Sequence, residues 1–363
     1  MGQPSAARTL QKKRRPGRWI RRGVWLVLLL YLCAALAPYA CQTTSATLPA
    51  DWRGAASSAP YVDSAAILET GNEALDMRLR LIANAQKSIR AGTYLYAMDA
   101  SGTQITAALL NAADRGVKVR LIIDGLFGFL NLRFHPSAYA LGGHPNVEIC
   151  FYNPVDLSKP ASLNVRYHEK FFVVDDEWLI LGGRNISDEF LSQAGNPHYN
   201  YDRDILLHND HSGVSACGLV AEYFDAMWAS ELCQPRYNSV PEYKKRAVAE
   251  ATGDLYNVWQ EIATIHDLSL PDYSAFHPVE KSILLSGSID AGPKDPLVYA
   301  KMMELMMEAR QRVILQSPYF VLDSAMRDAL EKECALPIQT TLITNSAASG
   351  NNIIASADGV FHR

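Results

Sequence analysis

Residues Leu75 to Asp124 read LDMRLRLIANAQKSIRAGTYLYAMDASGTQITAALLNAADRGVKVRLIID. The pattern predicts an amphipathic helix over Leu75–Lys87, an apolar strand over Ile89–Met98 and a second helix from about Gly102 to Asp114. Arg115-Gly116 stops that helix, and Val117 to Asp124 is a second apolar strand. Helices alternating with buried-type strands imply βαβ units on a mixed or parallel sheet. The same order returns later, with a helix over Pro296–Glu308, a strand over Arg312–Val321, a helix over Ser324–Glu333 and a strand over Thr340–Asn345. Ala85 matches Ala309 at an offset of 224, and Asp124 matches Asn345 at an offset of 221. A period of this length is a duplicated domain rather than a solenoid.

The first copy continues through strands at Asn146–Phe151, Tyr167–Val174 and Trp178–Leu181 and a helix at Val214–Trp228. The second reaches its second strand and an Ala/Ser/Asn-rich piece before Arg363. The expected fold is α/β: duplicated lobes, each a mixed sheet flanked by helices, with the second lobe incomplete. The expected layout is a basic leader with a hydrophobic segment (1–41), a linker (42–60), a first lobe (61–235), a connection (236–280) and the front of a second lobe (281–363).

The net charge of −4 averages two unlike parts. Eight of the 34 basic residues lie in the first 22 positions, which hold no acid, so the rest of the chain carries a net −12. That balance argues against a broad nucleic-acid-binding surface. The uncharged run Val24–Ala37 follows the basic leader. A basic flank before a short apolar run is the pattern of a secretory signal or a retained signal-anchor. Cys41, just past the run, stands where a lipoprotein carries its lipidated cysteine, although Pro38 occupies the place usually held by Leu. All three readings keep the N-terminus inside a bacterial cytoplasmic membrane and export the folded part. Residues 42–60, rich in Ser, Thr, Ala and Pro, read as a linker. The six cysteines form no CxxC pair.

The chemistry lies in Tyr167-His168-Glu169-Lys170-Phe-Phe-Val-Val-Asp175 and in Gly182-Gly183-Arg184-Asn185. Along a strand His168 and Lys170 share one face and Glu169 the other. An imidazole beside a fixed ammonium suits attack on a phosphodiester: the cation holds the non-bridging oxygens and the neutral ring is the nucleophile. Asn185 can donate to the same oxygens, and the glycines let the backbone come close.

The whole string, His-x-Lys-x4-Asp-x6-Gly-Gly-x-Asn, resembles the HKD signature of the phospholipase D superfamily. Tyr94-Leu-Tyr96, Arg115 to Asp124, Ser317-Pro-Tyr-Phe320 and Ile343-Thr-Asn-Ser346 resemble its bacterial cardiolipin-synthase-like branch, over about residues 61 to 363. The resemblance implies that His168 is a catalytic histidine, either the nucleophile that forms a phosphohistidine or its acid/base partner. It implies that Lys170, Asn185 and the Gly183 backbone bind phosphate, and that Asp175 has a structural role. Asp202 stands where the family places an acid hydrogen-bonded to the imidazole, with Asp204 the alternative. No metal or other cofactor is implied.

The family needs two His-Lys half-sites, and this sequence holds one His-x-Lys. The repeat places the second at roughly residues 390–400. The reading is therefore a fragment or truncated product of a two-motif protein, with a homodimer the poorer fit because a second lobe has begun. The expected function is a membrane-associated phosphatidyltransferase acting on phospholipid. The alternatives are a phospholipase D hydrolase, a nuclease, or an inactive membrane-anchored module.

Overall fold

The structure is a computed structural model describing residues 17–40, 63–192, 196–209, 214–279, 282–289, 297–319 and 324–345. Cys41 and the linker 42–60 lie outside the described residues.

The core is a nine-stranded mixed sheet. Its strands are β1 (Asp63–Leu68), β2 (Ser88–Thr93), β3 (Lys118–Asp124), β4 (Val147–Tyr152), β5 (Phe171–Val174), β6 (Trp178–Gly182), β7 (Asp204–Asn209), β8 (Cys233–Arg236) and β9 (His277–Val279). Their spatial order is β8-β4-β3-β2-β5-β6-β7-β1-β9. The strands β2, β3 and β4 run parallel, and all other neighbours are antiparallel.

The expected βαβ units are present. Helix Gly71–Asn84 opens with a capping box, in which Thr70 accepts from the Glu73 N–H and Glu73 accepts from the Thr70 N–H. Helix Ala100–Asp114 is capped by Asp99, which accepts from the Gly102 N–H at 3.1 Å. These two helices, with Pro136–Gly142 and Lys245–Ile265, cover one face of the sheet over Leu79, Ile82, Ile105, Leu109 and Leu121. Helix Ala216–Trp228 covers the other face over Tyr167, Val173, Leu179 and Phe224. Burying both faces explains why the strands read as continuous apolar runs rather than alternating ones. Helix Lys245–Ile265 lies within the stretch read as a connection, yet Val248, Leu255 and Ile262 bury it against the first sheet.

The later stretch, read in the sequence as a second copy, forms a parallel pair, β10 (Arg312–Gln316) and β11 (Gln339–Ile343), bridged by helix Ser324–Cys334 and preceded by helix Leu297–Met307. Like β2 and β3, these strands are parallel and joined through a helix. Arg203 donates to Gln316 Oε1 at 3.3 Å between the two sheets.

The N-terminal helix Arg18–Ala40 has 23 residues, about 34 Å, enough to cross a hydrocarbon core of about 30 Å. By length and composition its stretch Trp19–Ala37 is compatible with a membrane anchor or a signal peptide.

Candidate active site

Strand order places the motif. Strand β5 is antiparallel to β2, with Phe171 opposite Gly92, so its N-terminal end meets the C-terminal ends of β2 and β3. Such carboxyl ends are the usual seat of a site on a sheet of this kind. The ladder begins at Phe171, so His168 and Lys170 precede the strand rather than lying within it. The reason is Asp124. It caps helix Gly125–Asn131 by accepting from the Leu126 N–H at 2.9 Å, and it also takes the Tyr167 N–H at 2.9 Å. Arg166 adds contacts to Asp124 and to the Asn153 carbonyl. The approach to His168 is thus held by a buried carboxylate instead of a neighbouring strand.

The side chains still alternate. Glu169 turns to the far face, where it accepts from the Tyr223 hydroxyl at 2.5 Å. His168 is exposed, its ring 4.7 Å edge-on from Tyr94, and neither ring nitrogen is hydrogen-bonded among the described residues. Partial desolvation of the ring, and then the neighbouring Lys170, push its pKa below the ordinary histidine value, so the ring is neutral at pH 7. Lys170 is buried at 7% exposure. Its Nζ donates to the His168 carbonyl at 2.7 Å and lies 5.4 Å from the Tyr94 ring centroid. Burial lowers its pKa to about 8, with Asp202 and then Glu169 pulling the other way.

The Gly-Gly-Arg-Asn stretch leaves β6 and runs beside residues 95–97, where Ile186 donates to the Leu95 carbonyl and Ala97 to the Ile186 carbonyl. Asn185 Oδ1 accepts from the Leu95 N–H at 3.1 Å, which fixes the amide and leaves its Nδ2 as an available donor. Gly183 packs against the Asp202 carboxylate so closely that a Cβ there would overlap both oxygens. Arg184 is fully buried and donates to the carbonyls of Leu68, Glu69 and Asp202.

The three aspartates separate. Asp175, at φ 55 in the β5–β6 turn, accepts from the N–H groups of Gln86, Lys87 and Ser88, each at 2.7 Å. It ties the hairpin to the start of β2 and does not reach the imidazole. Asp204 is buried in ion pairs with Arg78 at 3.0 Å and Arg184 at 3.6 Å. Asp202 is the acid nearer the site. Burial raises its pKa, and it acts electrostatically on Lys170, but no hydrogen bond joins it to His168 among the described residues. Tyr94 and Asp124 were not singled out as site residues in the sequence. The available signals were the Tyr-x-Tyr after β2 and an Asp directly before a helix-opening Gly. Among the described residues no three His, Cys, Asp or Glu side chains gather as metal ligands.

Residues 79–228 match the family model described as "Cardiolipin synthase, PLD-like domain". Cardiolipin synthase C of Escherichia coli is 27% identical over 320 residues, covering 80% of this chain and 64% of its own length. An uncharacterized protein of Helicobacter pylori is 28% identical over 329 residues, covering 81% of this chain and 62% of its own. The chain therefore spans somewhat less than two thirds of the length of these relatives. Among solved structures, phosphatidylserine synthase of Haemophilus influenzae superposes with a TM-score of 0.56 at 17% identity, over 82% of this chain and 66% of that one. Motif and relatives agree that residues 79–228 form a phospholipase D-like domain of the cardiolipin-synthase type, and the superposition agrees on the fold.

Proposed function

We propose that this protein is a membrane-tethered phosphatidyltransferase of cardiolipin-synthase type. The observation that carries the reading is the trio at the end of β5: a neutral, unpartnered His168 ring, the buried ammonium of Lys170 beside it, and the Asn185 amide fixed through Leu95. The His168 ring attacks the phosphorus of a phospholipid and displaces the headgroup alcohol, forming a phosphohistidine. An acceptor alcohol then attacks the same phosphorus and frees the ring. Lys170 and Asn185 hold the non-bridging oxygens, whose charge builds in the transition state. Asp202 supports the charge on Lys170. The displaced alkoxide needs a proton, which we assign to a second His-Lys half-site. In this reading helix Arg18–Ala40 anchors the chain in a bacterial cytoplasmic membrane with its basic end inside.

The relatives favour lipid over polynucleotide, and so does the net −12 beyond the leader. The decisive experiment uses a phosphatidyl ester of p-nitrophenol, whose leaving group departs without an acid. The expected result is a stoichiometric burst of nitrophenolate that His168→Ala lacks, and an acid-labile phosphoryl adduct on His168. An equal burst from the variant refutes the assignment. With phosphatidylglycerol and a second alcohol, and with both half-sites present, transfer product rather than phosphatidic acid is expected. Phosphatidic acid alone makes the protein a hydrolase.

A further inference from the structure

The site sits beside an apolar surface that no part of the described chain covers. Helix Gly125–Asn131 begins at the Asp124 cap and exposes Phe129 at 45% and Leu130 at 63%. Phe134 follows at 65% exposure, and the loop after β4 adds Val155 at 40% and Leu157 at 69%. The two segments touch through Gly125, where a Cβ would meet the Pro154 backbone at 2.6 Å, so only glycine allows the contact. Soluble surfaces scatter such residues singly, and a contiguous group marks an interaction surface.

Three further observations say what covers it. First, the N-terminal helix meets the lobe at the end of this same loop: Asn164 donates to the Ala35 carbonyl at 2.8 Å, and Ala35 is buried. Ala35 lies two residues inside the end of the apolar stretch Trp19–Ala37, about 3 Å along the axis at 1.5 Å per residue. If that stretch spans a bilayer, the loop is at the depth of the headgroups and outer acyl carbons. Second, cations flank the apolar residues. The Arg133 guanidinium lies 4.3 Å from the Phe129 ring centroid and 4.8 Å from that of Phe134, while Lys159 is exposed beside Leu157. Lys244 lies 5.2 Å from the Phe134 ring. The loop's acid, Asp156, is turned onto Ser158. Aromatic and aliphatic tips with basic side chains at their edge suit an anionic lipid interface. Third, the surface leads to the site. Phe127 of the same helix meets the Tyr94 ring at 4.4 Å, and Tyr94 meets His168 at 4.7 Å.

We propose that helix Gly125–Asn131, Phe134 and the Val155–Leu157 loop form a membrane-contacting surface, which seats the lobe on the phospholipid leaflet and turns His168 toward its headgroups. The proposal rests on reading Arg18–Ala40 as a membrane segment, but not on the chemistry at His168.

The test uses the full chain with Cys33, Cys41, Cys233 and Cys334 replaced by serine, in phosphatidylglycerol–phosphatidylcholine vesicles. Nitroxides are placed at Leu130→Cys, Leu157→Cys and, as control, Ile265→Cys. The helix ending at Ile265 starts beside Phe134, where Lys244 donates to the Phe134 carbonyl, and its 21 residues end about 30 Å away. The expected result is a several-fold preference for oxygen over a water-soluble nickel chelate at 130 and 157, and the reverse at 265. Nickel access at 130 and 157 equal to that at 265 overturns the proposal. Dipolar broadening between labels at 130 without lipid contact also overturns it and seats a second copy there. In a second measurement, the variant Leu130→Glu/Phe134→Glu/Leu157→Glu, checked for folding by circular dichroism, should lose at least tenfold on vesicle lipid and nothing on a water-soluble phosphodiester. Unchanged vesicle activity refutes the surface alone, whereas a normal burst from His168→Ala refutes the chemistry alone.

Discussion

Two groups of polar side chains come from nearly the same piece of sequence and behave in opposite ways. Asp175 and Asp204 are saturated, the first by three backbone N–H groups and the second by Arg78 and Arg184. Lys170 and Asn185 are equally buried but keep donors in reserve. One contact of the Lys170 ammonium, to the His168 carbonyl, is formed, and the Asn185 amide uses only its oxygen. Saturation fixes a scaffold, whereas spare capacity held at a cost is what a site needs for a charge that appears only during reaction. The difference teaches that the motif mixes two jobs, and that hydrogen-bond capacity separates them better than burial does.

The contrast breaks first at His168. Its replacement by Ala should lower turnover by on the order of 10⁴-fold or more while leaving the melting temperature within a few degrees, as read by burst kinetics and calorimetry. Lys170→Met should cost about 10²–10³-fold in kcat without lowering stability, because it removes a charge that burial disfavours. A clear fall in stability would move Lys170 into the scaffold group. The opposite pattern belongs to Asp204→Asn, which leaves Arg78 and Arg184 facing an uncharged partner inside the lobe. Denaturant unfolding should show a loss of about 3–5 kcal/mol. Asp175→Ala should lose roughly 2–4 kcal/mol, since three N–H groups lose their acceptor at once.

A pH profile sharpens the comparison further. His168 titrates below the ordinary histidine range and Lys170 at about 8. Activity on the nitrophenyl ester should therefore rise through mildly acidic pH and decline above about pH 8. Stability should move the other way on the alkaline side. Between about 8 and the ordinary lysine value of 10.5 the unfolded chain holds a proton that the native one has lost, so this group's contribution rises with pH. An activity plateau persisting to pH 9.5 would contradict the role given to the ammonium. The smallest effect expected is from Asp202→Asn. It should lower the Lys170 pKa further and shift the alkaline limb to lower pH, with less than a tenfold loss at its optimum.

Much of the fold is legible because both faces of the sheet are buried. The strands at Lys118–Asp124 and Val147–Tyr152 announce themselves as apolar runs, and the helices between them by their period. The edge is not legible. Strands β8 and β9 are four and three residues long and carry Pro235 and Pro278, which local pattern reads as loop. Helix Lys245–Ile265 buries Val248, Leu255 and Ile262 at seven-residue spacing, a stripe too sparse to say which lobe it covers. At the site, His168, Lys170 and Asn185 are legible because they share a local motif. Tyr94 and Asp124 join them only through the order of β2, β3 and β5, which no local pattern encodes.

That strand order also bears on how the chain comes to be folded. Strand β1 leads the lobe, but its neighbours are β7 and β9, and its Asp63 side chain meets Asn209 across a sequence separation of 146 residues. On a ribosome, or emerging from a translocation channel, β1 therefore waits unpaired for most of the lobe to follow. Arg184 cannot reach Leu68, Glu69 and Asp202 together until then. Closure of the sheet and assembly of the Gly-Gly-Arg-Asn cradle are thus one late event. A nascent lobe stalled before residue 204 should have most of its strands, an unassembled Gly-Gly-Arg-Asn cradle, and a free strand for chaperones to hold.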